Sequence, residues 1–188
     1  MKRHIIEYNA PVTLSFVFLS LAALLLGYLT GGGSTRLLFS VYRAPLLDLL
    51  SYPRFFLHVL GHASFAHFSS NVTLLLVLGP GLEERYGSRV ILCAILVTAF
   101  ISGLAQWLLF PHAALLGASG IVFMMILMAS LGGSRGSGIP LTLILVFLIY
   151  VGGEIVSGLS SADNVSQLTH VIGGVCGTVL GVGLRRGK

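Results

Sequence analysis

Apolar residues run along this chain in long blocks rather than in alternation. Val12–Leu29, Phe68–Leu82, Val90–Phe110, Ser119–Leu131, Leu141–Leu159 and Leu168–Leu184 are nearly continuous in aliphatic and aromatic side chains. A helix needs about 20 such residues to cross a bilayer. The pattern therefore predicts six spans, the second and fourth short. Pro111 stops the third block, and Pro140 suits the first turn of the fifth. No repeat or interdomain linker interrupts the series, so residues 1–188 read as a single membrane domain.

Composition agrees with the pattern. Hydrophobic residues make up 55% of the chain and charged residues 9%, against about 25% charged in a soluble domain. The net charge of +5 does not suggest nucleic acid, because the basic residues sit at chain ends and in short loops. Lys2 and Arg3 precede the first span, Arg85 and Arg89 follow the second, Arg135 follows the fourth, and Arg185, Arg186 and Lys188 follow the sixth. Six spans put all of these on one side, with both termini cytoplasmic. The opposite loops, PHAALL and SSADNVSQ, carry no Lys or Arg. The exception is Gly31–Ala66, with Arg36, Arg43 and Arg54 on the outer side. Its apolar pieces (LLFSVY, LLDLLSY, RFFLHVL) predict a segment lying in or on the membrane face. The basic N-terminus and its apolar stretch read as a retained first span, being too long for a signal h-region. Cys93 and Cys176 lie inside apolar runs and read as reduced packing residues.

Depth can be counted. The fourth span ends at Gly132-Gly133-Ser134-Arg135, on the cytoplasmic side. Ser119 is then roughly 20 Å up, in a hydrocarbon core about 30 Å thick. That span begins below the outer surface, and the loop Pro111–Ala118 must dip to meet it. Irregular backbone at that depth needs protein or a wet cavity around it. The same count puts His170 about 21 Å from the inner face, Asn71 about 18 Å and His67 about 24 Å. Polar groups at one depth in lipid are expensive unless they face each other or water. His67 and Asn71, at i and i+4, share a helical face. His170, Gly173 and Gly177 share another, and Gly173, Gly177 and Gly181 form a small-residue stripe that lets helices approach closely. Phe123 lies one turn below Ser119.

A serine alone in a membrane helix is most often a packing residue, and a lone histidine is most often satisfied between helices. Together they suggest chemistry. A serine hydroxyl becomes a nucleophile when a base, usually histidine, takes its proton. The resulting oxyanion needs preorganised donors. Ser119 opens a helix, where backbone N–H groups are unspent, and His67 and Asn71 add donors. Gly117 and Gly120 permit the tight loop and close approach. No orienting acid is evident, so the arrangement predicts a Ser–His dyad.

The motifs GASG (Gly117–Gly120), His67-x-x-x-Asn71 and THVIGGVCG, with RFFLHVLGHASFAHFSSN and LGPGLEERYGS, resemble the rhomboid family of intramembrane serine proteases. The resemblance runs from about Arg54 to Gly181, and its strength is the order of the motifs in a six-span setting. It implies an all-α polytopic rhomboid-like bundle with a membrane-embedded first outer loop. It implies Ser119 as nucleophile, His170 as general base, and His67, Asn71 and the Ser119 N–H as oxyanion hole. Gly117, Gly120, Phe123 and Gly173 are the structural residues near the site. Substrates would be single-span or other transmembrane proteins in membrane lipid, cut within or next to the transmembrane segment, with no cofactor, metal or nucleic acid. The location implied is an integral membrane, the plasma (inner) membrane in a bacterium. The fifth span and the loop after it would act as gate and cap, with Gly152-Gly153 loosening it. Three departures stand out: Pro53 where many members have tryptophan, Phe123 where tyrosine is common, and Thr169 in place of alanine.

Competing readings are a silent rhomboid-like protein that binds transmembrane helices, and a small channel, for which the apolar inner halves offer no polar path. His58 and His62, at i and i+4, raise a metal site, but no Glu or Cys completes it. Glu154 reaches about the height of the dyad and reads as a residue at a wet cavity. Trp107 reads as an interfacial anchor.

Overall fold

The computed structural model describes residues 7–133 and 164–185, with residues 141, 144, 145 and 148. The predicted fifth span, Arg135, Pro140, Gly152-Gly153, Glu154 and the terminal residues Lys2, Arg3, Arg186 and Lys188 lie outside these or are described only at isolated positions. The described residues are helical, with no strand among them beyond one isolated antiparallel bridge, Val41 to Leu115. We number the helices α1 (Pro11–Leu29), α2 (Gly33–Leu37), α3 (Ser51–Leu57), α4 (Phe65–Tyr86), α5 (Ser88–Leu109), α6 (Ser119–Gly133) and α7 (Asn164–Arg185). A 3₁₀ turn, His58–Leu60, continues α3.

Five helices fall where the apolar blocks predicted spans, each within a few residues. Of them α1, α4 and α5 are long and apolar enough to cross a membrane. Helix α6 has 15 residues, about 22 Å at 1.5 Å each. It starts at Ser119, where the apolar block was expected to begin.

Helix α6 is the centre of the bundle. Ile121, Val122, Met124, Met125 and Met128 have no exposed surface. An apolar stripe on one face is absent because every face is covered, as expected for a helix apolar all round. Its largest contact is with α7, and α4 and α5 also pack on it. Helix α1 packs on α4. A Cβ at Gly79 of α4 would overlap the Thr13 side chain, so glycine sets the distance between these helices. One turn further along that face, the buried Glu83 carboxylate accepts hydrogen bonds from the N–H groups of Val12 (3.2 Å) and Thr13 (2.6 Å) and from the Ser88 hydroxyl (2.7 Å). The first N–H groups of a helix have no partner within it. Here a carboxylate from another helix supplies one, at the positive end of the α1 dipole.

The outer segment between α1 and α4 is tied down by two side chains. Arg54, 3% exposed, donates from Nε to the Leu37 carbonyl (2.8 Å), pairs with Asp48 (2.9 Å) and lies over the Tyr42 ring. The Leu50 N–H, then Arg54, holds the Asp48 carboxyl below its ordinary 3.8. Trp107 donates its indole N–H to the Ala44 carbonyl (3.0 Å), with the Arg43 guanidinium over its ring. Trp107 is thus a tether for this segment, more than the interfacial anchor expected. Leu47 and Leu49 of the segment are 96% and 81% exposed, an apolar surface of the kind that seeks lipid.

Candidate active site

The loop Pro111–Ala118 is exposed at Pro111, His112 and Ala114 and buried on protein at Leu115, Gly117 and Ala118. Val41 and Leu115 exchange both backbone hydrogen bonds (2.9 and 2.8 Å), Gly117 N–H donates to the His58 carbonyl (2.9 Å), and Gln106 Nε2 donates to the Ala113 carbonyl (2.8 Å). This is how irregular backbone survives at depth: its polar groups are matched by neighbours. The loop delivers Ser119, half-buried, as the first residue of α6.

Two groups of residues flank that serine. The first comes from α4. Ser64 caps α4 by accepting the His67 N–H (3.1 Å), and His67 lies half-buried on the first turn. A Cβ on Gly117 would stand 2.8 Å from His67 Cε1 and 2.9 Å from Nε2. Gly117 also has φ +124°. Both the backbone angle and the imidazole therefore require glycine here. Asn71, 1% exposed, lies one turn below His67 and donates from Nδ2 to the His67 carbonyl (3.1 Å).

The second group comes from α7. Phe123 stacks on His170, ring centroids 4.4 Å apart and 16° from parallel. His170 is 6% exposed. The helices meet through glycines. A Cβ on Gly173 would overlap the Gly120 carbonyl oxygen, and one on Gly177 would overlap that of Met124. A Cβ on Gly120 would stand 2.8 Å from Thr169 Cγ2. A Cβ on Gly181 would stand 3.3 Å from Leu131 Cβ, still close but short of overlap, so the stripe is tightest at the His170 end. Phe123 keeps the stacking role without a hydroxyl.

The structure thus brings His67 against the residue two before Ser119, and His170 against the residue four after it. Ser119 therefore lies in the chain between Gly117, which meets His67 of α4, and Phe123, which meets His170 of α7.

His58 and His62 correct an expectation. They do not share a helical face, because α3 gives way to a 3₁₀ turn at His58 and the backbone is extended at Gly61. A Cβ on Gly61 would overlap the Phe39 carbonyl oxygen, so the chain turns where only glycine fits. His58 Nε2 meets the Ala99 carbonyl (3.0 Å) and His62 Nδ1 the Leu60 carbonyl (3.1 Å). Burial pushes both rings down to about 4 from 6.5, with His67 adding to the effect on His62. Among the described residues no three His, Cys, Asp or Glu side chains cluster as a metal site would need. Cys93 and Cys176 are free thiols.

Two sets of supporting contacts were not foreseen from the sequence. Glu83 matched a motif, but nothing local ties it to α1. Gln106 holds the loop after α5 through the Ala113 carbonyl, and Gly103 packs on the outer segment, where a Cβ would stand 2.9 Å from the Phe55 carbonyl oxygen and 3.2 Å from His58 Nε2. Their signal was a glycine and an amide at i and i+3 in an otherwise apolar helix.

Residues 50–187 match the family model described as Rhomboid domain. No match to a curated protein was found.

Proposed function

The chain belongs to the rhomboid family, and on that premise we propose that it is an intramembrane serine endopeptidase working through a Ser119–His170 dyad. The observation that carries the reading is the Phe123–His170 stack. Residues i and i+4 of a helix are about 6 Å apart, so an imidazole lying on Phe123 is within one turn of Ser119. The overlap-tight Gly120–Gly173 contact supports it by holding the two backbones together at that height.

In this mechanism His170 takes the Ser119 hydroxyl proton as Oγ attacks the scissile carbonyl. The tetrahedral oxyanion is met by the Ser119 N–H, the His67 ring and the Asn71 amide. The imidazolium then returns its proton to the leaving amine, breaking the C–N bond. Water, deprotonated by His170, releases the acyl group and restores the hydroxyl.

The protein is an integral membrane protein, as its family and its apolar helices indicate. With both termini cytoplasmic, the site opens towards the outer face, and the exposed Leu47–Leu49 region dips into lipid. Substrates are transmembrane proteins whose helix is weakened near that face by Gly, Pro or small polar residues, because a helical peptide bond shelters its carbonyl. A bacterial chain would lie in the plasma membrane.

The test is cleavage of a labelled single-span substrate by purified protein in detergent. Wild type is expected to cut and Ser119→Ala to be inert. Cleavage surviving Ser119→Ala contradicts the dyad. Binding without cleavage by wild type favours the second reading, a silent helix-binding relative.

A further inference from the structure

Trp107 does more than fasten the outer segment. Val41, Phe55 and Leu115 are buried together in a hydrophobic cluster of their own, onto which Trp107 and Ala113 pack. The cluster is separate from the main core, which holds Leu75, Ile91, Ile121 and Met125. It joins the outer segment at Val41, α3 at Phe55 and, at Leu115, the loop that leads to Ser119. A small cluster beside a larger core can open locally, at less free energy than the whole fold requires.

Hydrogen bonds close this cluster into a ring. Trp107 donates from Nε1 to the Ala44 carbonyl (3.0 Å), with the Arg43 guanidinium 5.4 Å from the centre of its ring system. Three residues earlier, Val41 exchanges both backbone hydrogen bonds with Leu115 (2.9 and 2.8 Å). Two residues before Leu115, the Ala113 carbonyl accepts from Gln106 Nε2 (2.8 Å), and Gln106 adjoins Trp107 on α5. The path thus leaves α5 at Trp107, crosses the outer segment and the bridge, and returns to α5 at Gln106. Ser119 stands four residues beyond Leu115, with only the Gly117 N–H bond to the His58 carbonyl (2.9 Å) between them.

Building on the Ser119 nucleophile proposed above, we propose that Trp107 is a positioning residue for it: through Ala44 and the Val41–Leu115 bridge it holds loop 111–118, and with it the start of α6. It acts through the chain rather than on the substrate.

The test is hydrogen exchange of the full chain in detergent, read by mass spectrometry on peptides covering 39–45 and 111–118. Cleavage of a single-span substrate is measured on the same preparations. Trp107→Phe keeps a ring and loses the N–H. Both peptides should exchange about fivefold faster, the change that one net hydrogen bond makes in an opening equilibrium. Trp107→Ala also loses the packing, and its kcat should fall at least about tenfold with KM unchanged. Glu83→Ala is the control, because its carboxylate serves α1 and lies outside this cluster. It should melt lower yet keep wild-type exchange in both peptides, and wild-type kcat where folded. If Trp107→Ala does not fold, the exposed Arg43→Gln decides beside Trp107→Phe, with both peptides about twofold faster. Faster exchange in 39–45 alone, or wild-type kcat in Trp107→Ala, overturns the proposal. So does an equal loss of kcat in Glu83→Ala. Exchange needs no substrate, so it judges the hold on the loop separately: cleavage by Ser119→Ala would count against the dyad alone.

Discussion

Adding one methyl group at Gly173 tests the helix contact on which the dyad depends. In Gly173→Ala the new Cβ overlaps the Gly120 carbonyl oxygen and stands 2.9 Å from its carbon and 3.1 Å from its Cα. Carbon atoms pack comfortably at about 3.5–4.0 Å, so α6 and α7 must part by roughly 0.5–1 Å. The obstacle is backbone and cannot swing aside. Overpacking of this kind costs about 1–3 kcal/mol, and a misplacement near 1 Å costs on the order of 100-fold in rate. The neighbouring Gly174 is the control, because a Cβ there would meet nothing within 4 Å. Gly174→Ala should even gain about 0.5–1 kcal/mol from helix propensity. The assay is single-span substrate cleavage at a temperature where circular dichroism shows all three proteins folded. The expected order is Gly174→Ala equal to wild type, and Gly173→Ala slower by about two orders of magnitude. Gly173→Ala cutting within twofold of wild type would refute the claim that this contact sets the catalytic distance.

Other outcomes follow from the same geometry. Glu83→Ala strips the acceptor from two backbone N–H groups and the Ser88 hydroxyl and should cost about 1–3 kcal/mol; thermal melts in detergent should place it well below wild type, with Glu83→Gln between. Gly117→Ala meets both a φ of +124° and the His67 ring and should lose at least about tenfold in kcat, measured by the same cleavage assay. Acid should destabilise the fold through His58 and His62. Their folded values lie near 4 against 6.5 for the unfolded chain, so the unfolded chain binds protons first. Stability is then full above about pH 6.5 and declines as pH falls towards 4, by up to about 3 kcal/mol per ring, which melting temperatures at pH 7 and 4.5 will register.

Much of this was legible in the sequence because lipid imposes strict rules. Among the described residues the apolar blocks became helices, and the short block Ser119–Leu131 anticipated the short α6 and its start at Ser119. The glycine stripe on α7 also announced its partner face. Short elements were harder to foresee. Helices α2 and α3 have 5 and 7 residues, fewer than a periodic pattern needs to declare itself. The i, i+4 spacing of His58 and His62 suggested one helical face, but the backbone turns extended at Gly61 and the helix ends before His62. Glu83 and Val12 are 71 residues apart, and no local rule joins them. The Trp107–Ala44 tether is equally remote in sequence.

The central claim is that His170 activates Ser119. A fluorophosphonate probe, which reacts with activated serines, tests it without any assumption about substrate. Intact-mass and peptide analysis of the labelled protein should find one adduct, on Ser119, formed readily by wild type and lost in His170→Ala. Labelling of Ser119 that persists at the wild-type rate in folded His170→Ala protein would contradict the account.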